Sequence, residues 1–183
     1  MIPSLLLCAM LLQAGPQAAL KLLIDNDRVL VCDVTGRTTT RSLDAVVVSL
    51  SGSAEFVPKG KTSNVSGRLI TIGLKDHPVA PIANTSGYPL AFPRPGSKKI
   101  LENERVIVWD YTWMPGIATP MHFHDKDVVV VFLENGSLSS TTPDRKVGVN
   151  PYTAGTVRFN AHDRTHTETL VSGKQHAIIT ELK

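Results

Sequence analysis

Two histidines two residues apart, His122 and His124, end the stretch Gly116-Ile117-Ala118-Thr119-Pro120-Met121-His122-Phe123-His124, just ahead of the apolar run Val128 to Leu133. In an extended segment side chains alternate between faces, so both imidazoles point to the same side. A third imidazole, His166, follows a second β-like run in the segment Gly155 to Glu168. Placed on an adjacent antiparallel strand, it would complete a three-nitrogen site that binds a divalent transition metal and leaves coordination positions open. Neutral imidazoles leave such an ion its full positive charge, which would polarise a bound water, dioxygen or a bidentate anionic substrate. The ligand set leaves the ion open among iron, manganese, zinc, copper and nickel.

Other groups stand within reach in sequence. Glu168 is two residues from His166 and shares its face on a regular strand, where it could supply an oxygen ligand or act as an acid/base group. Asp127 has a parity that could also face inward, but Asp44 occupies the same place in a related segment without histidines, which favours a structural role at the start of a strand. His162 lies in the turn before His166, as a fourth nitrogen ligand or an exposed residue, with exposure preferred. His77, before Pro78, and His176, after a Gly-Lys-Gln turn, read as solvent-facing. Trp109, Tyr111, Met121 and Phe159 are core or pocket-lining residues, with core preferred for Trp109.

The elements that must position these groups read as strands. Short apolar runs rich in Val, Ile and Thr are separated by turn signals at Ser51-Gly52, Lys59-Gly60, Asn135-Gly136, Asp144 to Val147, Asp163-Arg164 and Ser172-Gly173, which predicts an all-β chain. Asn135-Gly136 is the strongest hairpin signal among them. At 183 residues, 42% hydrophobic and with a net charge of +3, the chain makes one compact unit or two small ones. No run of Lys and Arg interleaved with aromatics occurs, so nucleic acid is not an expected partner.

The histidine spacing resembles the cupin superfamily, whose first motif reads G-x5-H-x-H-x3/4-E-x6-G and whose second reads G-x5-P-x-G-x2-H-x3-N. Gly116, His122, His124 and Gly136 match the first, and Gly155 and His166 match the second. The family's metal-binding Glu falls at Val129, its Pro and Gly at Ala161 and Asp163, and its terminal Asn at Leu170. The resemblance implies a double-stranded antiparallel β-barrel of jelly-roll type and a metal held by His122, His124 and His166. It further implies a small-molecule ligand or substrate, with metal-dependent oxygenation as the leading activity. Isomerisation or hydrolysis, or a non-catalytic metal or small-ligand binding module, are the alternatives.

Two segments recur. Asp25 to Thr35 matches Glu102 to Thr112 at a constant offset, and Asp44 to Leu50 matches Asp127 to Leu133 at a larger one, as expected if the first copy lacks the loop carrying His122 and His124. A third match, Thr85-Ser86-Gly87 with Val171-Ser172-Gly173, sets Ala80 opposite His166. The division expected is a degenerate repeat over 20–88, a Pro/Gly-rich linker or wrapped connection over 89–99, and a metal-binding repeat over 100–183. Both copies are short, which leaves room for them to complete one another or to pair with a second chain as a homodimer.

Residues 1–19 carry no charged side chain and centre on the apolar run Leu5 to Leu12. This resembles a secretory signal peptide too short for a permanent membrane anchor, so the mature protein is expected to be exported, periplasmic or extracellular. Cys8 would leave with it, making Cys32 a lone, buried cysteine without an intramolecular disulfide.

Overall fold

The structure is a computed structural model that describes residues 12–14, 19–35 and 38–183. Among them there are strands and no helix, and the sheets pair antiparallel, as the sequence predicts. None is therefore a helix long and apolar enough to cross a membrane. Most of the expected leader, Cys8 included, lies outside the described residues. Within it, Leu12–Ala14 forms a strand. The chain divides into two compact units, Met1–Pro78 and Val79–Lys183.

The first unit holds β1 (Leu12–Ala14), β2 (Ala19–Asp25), β3 (Val29–Thr35), β4 (Thr38–Arg41), β5 (Ala45–Ser49), β6 (Ala54–Val57) and β7 (Arg68–Leu74). Five of them form a sheet in the order β2-β3-β7-β5-β6, and β1 pairs with β4. Strand β5 is buried along its whole length, which is why it reads as an unbroken apolar run. Each buried valine there contributes about 1.5–3 kcal/mol. Contrary to expectation, Cys32 is disulfide-bonded, and fully buried. Nor is this unit a two-sheet barrel: its described residues supply one five-stranded sheet and one strand pair.

The second unit has two sheets built from β8 (Ser97–Glu102), β9 (Val106–Trp113), β10 (His122–His124), β11 (Val128–Phe132), β12 (Gly136–Thr141), β13 (Val147–Tyr152), β14 (Val157–Asn160), β15 (Arg164–Gly173) and β16 (Gln175–Leu182). One has the order β10-β15-β12-β13 and the other β14-β11-β16-β9-β8. They form a jelly-roll-like arrangement that is not closed into a barrel. Trp109, Tyr111, Trp113, Val128, Val130 and Phe132 of the five-stranded sheet share one core cluster with Leu138 and Leu170 of the other.

The two five-stranded sheets follow the same order when β2, β3, β5, β6 and β7 are set against β8, β9, β11, β14 and β16. Their local bonds agree as well. The Asn26 side chain accepts from the backbone N–H of Arg28 and Val29, and Asn103 accepts from Arg105 and Val106. Asp44 Oδ1 accepts from Lys59 N, and Asp127 Oδ1 from His162 N. In that order β7 stands where β16 does. The third sequence match has no structural counterpart of that kind: Thr85 to Gly87 form no strand and lie in the second unit, while Val171 to Gly173 belong to β15.

Asn135-Gly136 does not close a hairpin either, since β11 and β12 lie in different sheets. A Cβ at Gly136 would stand 2.5 Å from Lys174 O and 2.7 Å from Ser172 O, so the glycine answers to a close approach of the β15–β16 connection.

Candidate metal centre

His122 and His166 are directly opposed on β10 and β15, and His124 faces Arg164 across the same pair. The period of two therefore puts His122, His124, Arg164, His166 and Glu168 on one face. Each histidine offers a ring nitrogen within 4.8 Å of those of the other two, and all three are buried. Burial foremost, then the positive charge of Arg94, holds His122 at a pKa of about 3. Burial also sets His166 at about 3, with Arg164 and Arg94 adding to it. His124 is pushed well below the ordinary imidazole range by burial and then by Arg164. The trio is neutral, the form in which imidazole binds a metal.

The tautomer of His122 follows from its neighbours. Its Nδ1 lies 2.7 Å from the Pro120 carbonyl, which can only accept, so Nδ1 carries the proton and Nε2 the lone pair. Arg94, which can only donate, meets that lone pair through Nη1 at 2.5 Å. His124 has both ring nitrogens buried without a hydrogen-bond partner. A buried polar group in that state is costly, and a cation shared with the two neighbouring imidazoles would relieve it. The donor set fits a divalent transition metal.

Arg94 was hidden in the segment 89–99. That segment lies inside the second unit and wraps against the site. Phe123 N donates to Pro89 O and Ala91 N to Phe123 O, which lays the segment beside β10. A turn over Arg94 to Ser97 then closes with Ser97 N donating to Arg94 O at 3.0 Å, Gly96 taking φ 85° at its third position. The guanidinium sits 4.6 Å from the Phe92 ring centre and 4.3 Å from that of Tyr111. Its Nη2 reaches Glu168 Oε2 at 3.4 Å. The Pro-Arg-Pro-Gly turn was the only local signal, and it carried no information about the target.

Glu168 does share the face of His166. Its Oε2 accepts from Trp113 Nε1 at 3.0 Å, while Oε1 stands 3.8 Å from His166 Nε2. Asp127 points elsewhere: Oδ1 accepts from the backbone N of His162 and lies 2.6 Å from its Nδ1. His162 is therefore half-buried and tied to Asp127, where exposure was expected. His176 meets Asp110 at 2.6 Å, also short of the solvent-facing reading, whereas His77 is exposed. Trp109 is core, stacked on Phe92 at 5.1 Å.

A cavity of about 170 Å³ adjoins the histidines and is lined by His124, His166, Arg94 and Glu168, with apolar walls from Trp113, Val128, Val130 and Phe132. Val129, where the motif register places the family's carboxylate, is absent from this lining and alternates to the other face of β11. Asp163, at the position of the family's Gly, takes φ 60°, a left-handed conformation that Asp tolerates.

The strand order, the two antiparallel sheets and the histidine register make the second unit a jelly-roll-like β domain with a three-histidine cluster, and cupin domains are among the solved structures it is similar to. Similar solved structures include a cupin domain from Bordetella pertussis Tohama I, 29% identical over 50% of this chain and 97% of that one, with a TM-score of 0.45. A cupin 2 conserved barrel domain protein from Leptotrichia buccalis is 11% identical over 93% of this chain and 91% of that one, with a TM-score of 0.49. A cupin-2 domain protein from Shewanella frigidimarina NCIMB 400 is 17% identical over 50% and 83%, with a TM-score of 0.38. No protein-family model and no curated protein sequence matches the chain.

Proposed function

We propose that the second unit holds one divalent transition metal on His122, His124 and His166 and serves as a metal-dependent oxygenase of a small organic molecule bound in the adjoining cavity. The observation that carries this reading is the convergence of three buried, neutral imidazoles beside a cavity, one of them with both nitrogens unpartnered. A metal there would supply the positive charge that polarises an oxygen-containing ligand. The Pro120 carbonyl orients the His122 ring. Glu168, held by Trp113 and Arg94, is placed on the cavity wall to accept a proton from the ligand and return it. Val128, Val130 and Phe132 exclude water from the same space.

A small-ligand binding module without catalysis is the second reading, favoured by the Arg94 guanidinium occupying the His122 lone pair that a metal would take. We further read the chain as an exported protein whose first unit is a degenerate copy of the second. The shared strand order and the matching Asn26/Asn103 and Asp44/Asp127 bonds support the duplication.

Elemental analysis of purified protein should give about one divalent ion per chain. His122→Ala and His166→Ala should abolish that binding and His77→Ala should leave it. The iron(II)-loaded protein should bind nitric oxide, and an oxygen-uptake screen over small thiols, phenols and β-diketones should reveal a substrate. Two ions per chain, or none after reconstitution, would overturn the metal assignment. A metal-loaded protein that binds no nitric oxide and consumes no oxygen would leave the binding module.

A further inference from the structure

The cavity beside the histidines is lined by three guanidiniums, Arg94, Arg158 and Arg164, against a single carboxylate, Glu168. With the histidines neutral this leaves a formal charge of +2 in a small space. Glu168 is already engaged, since Oε2 accepts from both Trp113 and Arg94. Arg164 is anchored by its Nε to the Ala161 carbonyl at 2.8 Å, while its Nη2 is buried without a partner. The Arg94 side chain is 5% exposed, and its Nε is likewise buried and unpartnered. Arg158, at the exposed rim, acts on Arg164 with a like charge. Buried guanidinium donors without partners are costly, and a planar anion that accepts two parallel N–H bonds would satisfy that of Arg164.

The remaining walls say what such an anion is attached to. Phe132 and Tyr152 stack with ring centres 3.9 Å apart, Phe132 and Trp113 at 6.0 Å, and Val130 and Ile179 complete an apolar side. The same cavity wall thus carries guanidiniums together with aromatic and aliphatic side chains, besides the polar Ser140, Asn150 and Asn160. This inference rests on the reading of the cavity as the ligand site. We propose that Arg164 and Arg158 form the recognition site for the carboxylate of a small organic acid whose apolar or aromatic body lies against Phe132 and Trp113.

The test is titration of the full chain, both zinc-loaded and chelator-treated, with benzoate, pyruvate and acetate, each beside its uncharged amide. Binding is read by calorimetry and by tryptophan fluorescence. The expected result is that at least one acid binds about tenfold or more tightly than its amide, as loss of a charge-assisted bidentate contact predicts. Arg164→Gln should remove that preference and Arg158→Gln reduce it, while Arg164→Lys, which keeps the charge but not the fork, should restore it only in part. Arg158 is exposed, so its variant keeps the test open if Arg164→Gln does not fold. If no acid binds more tightly than its amide, or if both Gln variants keep the preference, the inference is overturned. Metal content measured on the same samples separates the two readings. A chain that holds no metal but still prefers the acid loses the proposed function and keeps this site; a chain that holds zinc and shows no preference does the reverse.

Discussion

Lowering the pH should destabilise the metal-free second unit by an amount that the buried histidines set. His122 and His166 have folded pKa values of about 3 because burial disfavours their charged forms, whereas an unfolded imidazole titrates near its ordinary 6.5. Between these values the unfolded chain binds more protons than the folded one, so stability rises with pH across that window and is lost as pH falls below about 6.5. Each such histidine contributes a slope of about 1.4 kcal/mol per pH unit. Two of them acting over about two units remove roughly 5 kcal/mol by pH 4.5, comparable with the whole stability of a small domain. Both tryptophans of the chain, Trp109 and Trp113, lie in the second unit, so fluorescence-detected urea unfolding reports on it selectively. Chelator-treated wild type and His166→Leu should be compared at pH 7.5, 6, 5 and 4.5. The variant's stability should depend on pH less steeply, by about 1.4 kcal/mol per unit below pH 6.5. Parallel curves for the two proteins would refute the reasoning, since they would mean that His166 is as easily protonated in the folded state as in the unfolded one.

Arg94 places a positive charge on the lone pair of His122, so Arg94→Met should raise zinc affinity by about tenfold or more, measured by competition with a chromophoric chelator. An unchanged or weaker affinity would show that the guanidinium does not compete with the ion. Val128→Glu puts a carboxylate on the cavity face and should slow metal loss to chelator. Val129→Glu buries a charge on the opposite face of β11 and should lower stability by several kcal/mol without aiding retention. Asp127→Asn weakens the anchor of His162 and should lower the melting midpoint by the equivalent of about 1–3 kcal/mol while zinc stoichiometry stays the same; loss of the metal in that variant would make Asp127 part of the site.

The sequence by itself determined the parts of this protein that depend on short-range periodicity. Val, Ile and Thr runs broken by turn residues can form little but strands, and the His-x-His spacing puts two imidazoles on one face of any strand. Asp44 and Asp127 recur at strand starts, and a structural role for them was readable from the offset, whereas the backbone donors they meet, Lys59 N and His162 N, came from the structure. What only the tertiary structure decided are contacts between groups far apart in the chain. Arg94 reaches His122 across 28 residues and Glu168 across 74, through a wrapped segment whose prolines and glycine specify a turn but not what the turn faces. The cavity side of β11 is a matter of parity, and one residue exchanges Val129 for Val128 and Val130. Asn135-Gly136 has the composition of a hairpin turn, yet its strands part into different sheets and the glycine serves a close backbone crossing. Local preference fixes the conformation of a few residues, but which of them meet is settled by burying two sheet faces against each other, a sum over the whole domain.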